Sequence, residues 1–189
     1  MSIATTLAGV PLVLIDLQNA IDHPDWGERN NPDAEIRIGE LLAHWRHADW
    51  PIIHIRHDSV NENSHYRPGQ AGHDFKSGNQ PLAGETVIAK TANSAFIDGV
   101  LQAHLDRLGH RTIAVAGVIT NNSVDATVRH GGNLGYEIFL LADGCFTFGQ
   151  TDWNGKCWTA DDVHALALSN LDGEYCRVIQ TADIISSLS

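Results

Sequence analysis

The chain has 189 residues, of which 43% are hydrophobic and 19% are charged, as is typical of one soluble domain with a sizeable core. Twelve Lys and Arg against 23 Asp and Glu give a net charge of −11, which repels phosphate backbones and anionic membrane surfaces. We therefore expect a single domain over residues 1–189, with neither nucleic acid nor membrane as a partner.

The N-terminal segment does not have the pattern of a targeting sequence. No basic region precedes its apolar run, Asp16 ends that run after Ile15, and no stretch approaches the length of a membrane span. The three cysteines are odd in number and have no CxxC spacing, which argues against a disulfide framework or a thiolate metal site. We expect a cytoplasmic protein.

Six short apolar runs predict buried strands, and the segments between them predict helices. The predicted strands are 9–15, 51–57, 85–90, 113–119, 136–142 and 176–179. The predicted helices are 34–50, one within 94–109 capped at Asn93-Ser94, one opening at Ser123, 159–171, and a short one from Thr181. Strands that alternate with helices predict an α/β fold. We predict a single-domain three-layer sandwich, with a six-stranded, mostly parallel, doubly wound sheet and helices on both faces.

Polar residues follow several of these strands, where α/β sheets bind their ligands. Asp16, His57, Lys90 and the segment 119–123 lie at the predicted carboxyl ends. The long loop 58–84 is expected to cover this edge, because loops of such length are mostly functional.

These residue types form the parts of a nucleophilic site. Asp16 could accept a proton, Lys90 could stabilise charge, and the N–H groups of Ile119 and Ser123 could hold an oxyanion at a helix N-terminus. Simpler interpretations exist, since Ser123 could be only a helix cap and Asp16 and Lys90 only a buried ion pair.

The motifs, taken together and in order, resemble one family. They are LVLIDLQNAID, IIHIRHDS, YRPGQAGHDFK, GETVIAKTANSAF, VAGVITNNSVDATVRHGGNLGYE, LADGCFTF and VHALALSNLDGEYCRVIQT. The chain is similar to the isochorismatase-like hydrolases, the cysteine hydrolase superfamily that includes nicotinamidases, N-carbamoylsarcosine amidase and many small amidases.

The resemblance implies a catalytic Asp16 and Lys90, with Ser123 at the position of the nucleophilic Cys. It also implies a cis peptide between Val118 and Ile119, and an oxyanion hole at Ile119 and Ser123. The implied activity is hydrolysis of a small carboxamide, urea-like or lactam C–N bond through an acyl-enzyme, when position 123 is Cys.

The serine at position 123 departs from the family pattern, because a hydroxyl ionises far less readily than a thiol. It is interpreted as a deliberate Cys→Ser replacement, which is nearly isosteric. The alternatives are a natural serine variant, the nucleophile-free enol-ether route of true isochorismatases, or a catalytically silent small-molecule-binding homologue.

No cofactor is expected, and no catalytic metal is predicted. Nicotinamidases of this superfamily hold a metal with an Asp-x-His pair and a later His, a spacing that Arg56-His57-Asp58-Ser59 does not match. His57, Asp58 and His65 could still converge on a cation, although solvated loop histidines are the preferred interpretation.

The predicted substrate contacts adjoin the strand ends. They are Gln18, Trp26, His57, Phe75 and Phe96. Trp153 and Trp158 could reach a neighbouring subunit, since the resemblance implies a homodimer or homotetramer.

Overall fold

The computed structural model describes residues 7–185, and most of its strands belong to one sheet. The strands are β1 Leu12–Ile15, β2 Ile52–His57, β3 Thr86–Lys90, β4 Thr112–Val118, β5 Glu137–Phe146, β6 Gln150–Thr151, β7 Cys157–Trp158 and β8 Arg177–Ile179. The main sheet has the order β3-β2-β1-β4-β5-β8, and each neighbouring pair is parallel. Strands β6 and β7 form a separate antiparallel hairpin.

Helices cover both faces of this sheet. They are α1 Ala34–His47, α2 Val100–Leu108, α3 Asp125–Asn133, α4 Ala160–Leu171 and α5 Thr181–Ile185. Leu12 and Leu14 pack in one cluster with Trp45 of α1, whereas Val13 and Ile15 pack in the other with Leu101 of α2. Because successive side chains of a strand point to opposite faces, β1 is apolar throughout. The predicted three-layer α/β sandwich is confirmed.

Strand β5 is longer than predicted. It was expected to end at Ala142, but its pairing with β4 continues through Cys145 and Phe146. Asp143 interrupts the apolar pattern because its side chain accepts hydrogen bonds from the backbone N–H (2.8 Å) and hydroxyl (2.6 Å) of Thr181. A polar residue within the strand therefore anchors the start of α5.

The helix predicted within 94–109 begins only at Val100, and its N-cap is Gly99. Ser94 instead accepts a hydrogen bond from the backbone N–H of Phe96, so the predicted helix cap at Asn93-Ser94 is wrong. Ser94 stabilises a turn that precedes the helix.

Gly117 lets β4 approach β1 closely near the carboxyl ends of these two strands. Its φ is +125°, and a Cβ there would lie 2.3 Å from the carbonyl oxygen of Ile15. Only glycine fits this position without displacing the backbone. Within residues 7–185, no helix is both long enough and apolar enough to cross a membrane.

Candidate active site

Three strand ends meet at one edge of the sheet. Asp16 follows β1, Lys90 ends β3, and Ile119 follows β4. Asp16 has a φ of 52°, in the left-handed region that residues other than glycine seldom adopt. Such conformations cost about 1–3 kcal/mol and cluster at functional sites. The fold thus holds the backbone of Asp16 in a strained conformation at this edge.

A buried contact network joins the three predicted catalytic residues. Lys90 Nζ donates to Asp16 Oδ2 at 2.7 Å and to Ser123 Oγ at 3.3 Å. The exposed fractions are 4% for Asp16, 2% for Lys90 and 7% for Ser123. The structure therefore brings together a carboxylate, an ammonium and a hydroxyl in a site that largely excludes water.

Burial is the main electrostatic influence on Asp16. It raises the pKa of the carboxyl group above its usual value, although the nearby Lys90 charge acts in the opposite direction. Its Oδ1 atom is buried and has no hydrogen-bond partner among residues 7–185. A carboxylate with one free oxygen and a raised pKa is suited to accepting a proton.

Ser123 lies in a tight turn between β4 and α3. The Val118–Ile119 peptide is cis, at the position that the family resemblance implies. A single π-helical turn, Thr120–Val124, follows it, and the carbonyl of Ile119 accepts from the N–H groups of Asn122 (3.0 Å) and Val124 (3.3 Å). Ser123 is inside this turn and does not cap α3 with its side chain. The N-terminal end of α3 favours negative charge nearby.

A polar network missed by the sequence reasoning supports this turn. Thr120 Oγ1 and His164 Nδ1 are 2.9 Å apart, and both residues are buried. Asn31 donates to the backbone carbonyls of Ala142 (3.0 Å) and Cys145 (2.6 Å) and lies 3.4 Å from His164 Nε2. Burial lowers the pKa of His164, which favours a neutral ring that can bridge these groups.

Trp26 lies where a substrate contact was predicted. It lines an open cavity of about 480 Å³ together with Ile119, Asn122 and Phe148. Its indole is stacked on Phe148, with 5.6 Å between ring centroids, and its Nε1 donates to the carbonyl of Ala20 at 2.9 Å. This cavity adjoins the turn that carries Ser123.

His57 also lies beside the candidate catalytic residues. Its Nδ1 is 3.4 Å from Lys90 Nζ, and its ring contacts the edge of Tyr66. Burial lowers the pKa of His57, the Asp16 charge opposes this effect, and the Lys90 charge adds to it. We interpret His57 as a neutral imidazole that lines the site.

Gln18 has a supporting role that differs from the predicted substrate contact. Its amide accepts from the backbone N–H of His57 at 2.7 Å and donates to the carbonyls of His57 (3.2 Å) and His73 (2.8 Å). The side chain is fully buried. Because both amide hydrogens are used, Gln18 braces the loop 58–84 against β2.

The two phenylalanines predicted to contact substrate have packing partners within the fold. Phe75 pairs with the backbone of Gln18 and places its ring against the edge of His54. Phe96 is 2% exposed and packs against Tyr136 and His130 in the hydrophobic core. These contacts favour packing roles for both residues, and their contact with substrate stays a prediction.

Two tryptophans lie on the hairpin region. Trp153 is 92% exposed, and Trp158 donates from Nε1 to Asp152 at 2.9 Å. They face solvent in the single chain.

The structure does not bring His57, Asp58 and His65 together. Asp58 is held by Arg56 (2.8 Å and 3.0 Å) and by His73 (2.7 Å), and His57 faces the cationic Lys90. His65 instead lies beside Asp25. Because these donors do not converge and one of them faces an ammonium, they do not form a nicotinamidase-type metal site.

Comparison with known proteins agrees with this geometry. A family model described as the isochorismatase domain matches residues 11–183. A solved structure from Chromobacterium violaceum ATCC 12472, assigned to the isochorismatase family, is 57% identical with a TM-score of 0.92, covering 95% of this chain and 93% of that one.

Two curated relatives extend the comparison. The isochorismatase family protein YrdC of Bacillus subtilis (strain 168) is 34% identical over 175 residues, covering 93% of this chain and 94% of its own. Nicotinamidase 3 of Arabidopsis thaliana is 26% identical over 194 residues, covering 94% of this chain and 87% of its own. The matched domain spans most of the chain, and the protein therefore belongs to the isochorismatase family of hydrolases.

Proposed function

We propose that this chain hydrolyses the C–N bond of a small carboxamide, urea-like compound or lactam, with residue 123 as the nucleophile. The observation that supports this most is the buried contact network in which Lys90 lies 2.7 Å from Asp16 and 3.3 Å from Ser123. The similarity to a nicotinamidase, an amide-hydrolysing relative by its name, points to the same bond type.

In the proposed reaction, Asp16 accepts the proton of the residue 123 side chain, which attacks the carbonyl carbon. The N–H groups of Ile119 and Ser123 stabilise the oxyanion, and Lys90 stabilises the charged carboxylate. The proton then passes from Asp16 to the leaving nitrogen, the C–N bond breaks, and an acyl-enzyme remains. A water molecule deprotonated by Asp16 hydrolyses that ester or thioester and regenerates the side chain.

Serine at position 123 limits this reaction. A thiol with a pKa of about 8.5 ionises readily, whereas a serine hydroxyl must lose its proton during the attack itself. We therefore propose that the Cys form is the efficient catalyst and that Ser123 retains the binding site with little turnover.

The substrate would occupy the cavity beside Ile119. Trp26 and Phe148 offer a flat apolar wall, while Asn121, Asn122 and Gln150 offer carboxamide groups. Within residues 7–185, Asp25 is the one charged side chain that lines this cavity. A small substrate that is planar and either neutral or cationic fits these surroundings.

The test is ammonia or amine release from a panel of small amides, ureas, lactams and carbamoyl compounds. The chain as given, Ser123→Cys and Ser123→Ala are compared under identical conditions. Turnover by Ser123→Cys that greatly exceeds that of the other two supports the proposal. Equal turnover by Ser123→Ala contradicts it and indicates that water attacks the carbonyl carbon without a nucleophile at residue 123, whereas tight binding without turnover in any form indicates a binding protein.

We also propose that the protein is a homodimer or homotetramer, as the family resemblance implies. The 92% exposure of Trp153 on a single chain supports a partner at this surface. Light scattering should give a multiple of 20.6 kDa, and a strict monomer would contradict the proposal.

A further inference from the structure

Two histidines and a carboxylate converge at the rim of the proposed substrate cavity. His23, Asp25 and His65 each offer one ligand atom, and the three atoms lie within 4.8 Å of one another. His23 and Asp25 belong to the loop after β1, whereas His65 belongs to the long loop 58–84. Forty residues separate Asp25 from His65, so the fold creates this cluster and local sequence does not.

The distances match the geometry of a small cation site. Asp25 Oδ2 is 3.3 Å from His23 Nδ1 and 3.3 Å from His65 Nε2. Ligands that bind Zn²⁺ tetrahedrally at about 2.0–2.1 Å are themselves about 3.3 Å apart. Both oxygen–nitrogen distances therefore match neighbouring corners of such a tetrahedron, and the two nitrogens lie within 4.8 Å of each other.

Local contacts already hold these side chains together. His23 Nδ1 accepts a long hydrogen bond of 3.3 Å from the Asp25 N–H. The His23 and His65 rings are stacked, with centroids 3.4 Å apart. A cation bound to His23 Nδ1 would replace this long hydrogen bond with a metal–nitrogen bond.

The cluster is open enough to be loaded from solvent. The side chains of His23, Asp25 and His65 are 39%, 76% and 32% exposed, and both histidines line a surface cavity of about 440 Å³. Such a cavity can supply the remaining coordination positions with water.

We infer that His23, Asp25 and His65 form a binding site for one divalent transition-metal cation of the Zn²⁺ type. Two imidazole nitrogens and one carboxylate oxygen favour Zn²⁺, Co²⁺ or Ni²⁺ over Mg²⁺ and Ca²⁺. The site includes neither Lys90 nor Ser123, and it meets the proposed substrate cavity only at Asp25.

A cation here would fasten two loops that flank the active site. Asp25 precedes Trp26, which lines the cavity beside Ile119, and His65 precedes Tyr66, whose ring contacts His57. Metal binding would therefore stabilise the folded chain, because it links segments that are distant in sequence.

The experiment is a calorimetric titration of tag-free, chelator-treated protein with Zn²⁺, together with Co²⁺ absorption spectra and thermal unfolding. We expect one Zn²⁺ per chain, a visible Co²⁺ spectrum of a nitrogen and oxygen site, and a higher Tm with Zn²⁺. His65→Ala and Asp25→Asn should each weaken Zn²⁺ binding by at least about 100-fold. Loss of a residue that only orients a metal ligand already costs up to about 100-fold, and loss of the ligand itself should cost no less.

The matched control is His47→Ala, which removes an exposed histidine of α1 away from the cluster and should bind Zn²⁺ as the parent does. Circular dichroism confirms that each variant is folded. Absence of a site tighter than about 1 mM would overturn the inference. Binding that survives both His65→Ala and Asp25→Asn would overturn it as well. No arm of the test uses turnover, so its result is independent of the proposed hydrolysis.

Discussion

Lys90 Nζ lies 2.7 Å from Asp16 Oδ2 although their strands, β3 and β1, are separated by β2. The lysine side chain crosses the carboxyl end of β2, where His57 lies 3.4 Å from the same ammonium. A buried ion pair at a strand edge can serve stability or chemistry. Here the same ammonium also contacts Ser123 Oγ, which favours chemistry.

The first prediction concerns Asp16 as the proposed general base. Asp16→Asn keeps the size of the side chain but removes its ability to accept a proton. In the Ser123→Cys protein we expect kcat to fall by about 10²–10⁴-fold, measured as amine release. Asp33→Asn, at an exposed position, should leave kcat unchanged. Full activity of Asp16→Asn in a folded protein would contradict the assignment.

The second prediction concerns the buried ion pair of Asp16 and Lys90. Lys90→Met leaves the Asp16 carboxylate without its partner, so the free energy of unfolding should fall by about 3–5 kcal/mol near neutral pH. Burial already raises the pKa of Asp16, and without Lys90 the carboxyl group protonates at higher pH still. The unfolded states of the parent and the variant titrate alike, so the electrostatic part of the loss should be absent in strong acid. It should grow as pH rises from the raised Asp16 pKa of the parent to the still higher pKa of the variant.

Urea unfolding at several pH values measures this dependence. The double variant Asp16→Asn/Lys90→Met should be more stable than Lys90→Met alone, because it carries no unpaired buried charge. A loss that is independent of pH would contradict the electrostatic explanation.

The third prediction concerns Glu85, which binds Arg46 at 2.6 Å and buried His54 at 2.8 Å. Burial opposes its ionisation, but hydrogen bonds from Arg46 and the Leu82 N–H outweigh this and lower its pKa from 4.5 to about 2. Because the folded pKa is the lower one, the stabilisation is complete above pH 4.5 and is lost as pH falls towards 2.

Glu85→Gln should therefore cost about 3 kcal/mol of unfolding free energy near neutral pH, and the difference from the parent should shrink in acid. Glu62→Gln, at an exposed loop position, should change stability by less than about 0.5 kcal/mol. Equal losses at neutral and acid pH would argue against linkage through Glu85.

The fourth prediction concerns the approach of β4 to β1. Gly117→Ala places a Cβ 2.3 Å from the Ile15 carbonyl oxygen at a φ of +125°, so it should destabilise the fold by at least about 3 kcal/mol. In α1, Gly39→Ala meets nothing closer than 3.9 Å and should stabilise by about 0.5–1 kcal/mol. Thermal unfolding measures the stability of both variants. A Gly117→Ala protein as stable as the parent would contradict this prediction and would show that β4 and β1 can move apart at this position.

The proximity of the candidate catalytic residues was predictable because each of them directly follows a local pattern. Asp16 and Lys90 end apolar runs, and parallel strands bring such ends to one edge whatever the loops do. The predicted sheet followed from the same runs, except at β5, where Asp143 hid the continuation to Phe146.

Contacts that depend on loop paths were not predictable. The Asn31 contact with Cys145 spans 114 residues, and nothing in the local sequence indicates which loops meet. The polar side chain of Gln18 was assigned to a substrate, yet it satisfies backbone groups of a loop that folds over it. The cluster of His23, Asp25 and His65 was missed for the same reason.

The most direct test of the central claim is detection of the acyl-enzyme. The Ser123→Cys protein is mixed with the amide that it hydrolyses fastest, quenched in acid within one turnover, and measured by intact-mass and peptide mass spectrometry. We predict a mass increase equal to the acyl part of the substrate, located on residue 123 and absent from Ser123→Ala. Continued turnover by Ser123→Cys with no adduct on residue 123 would contradict the nucleophilic role assigned to this position.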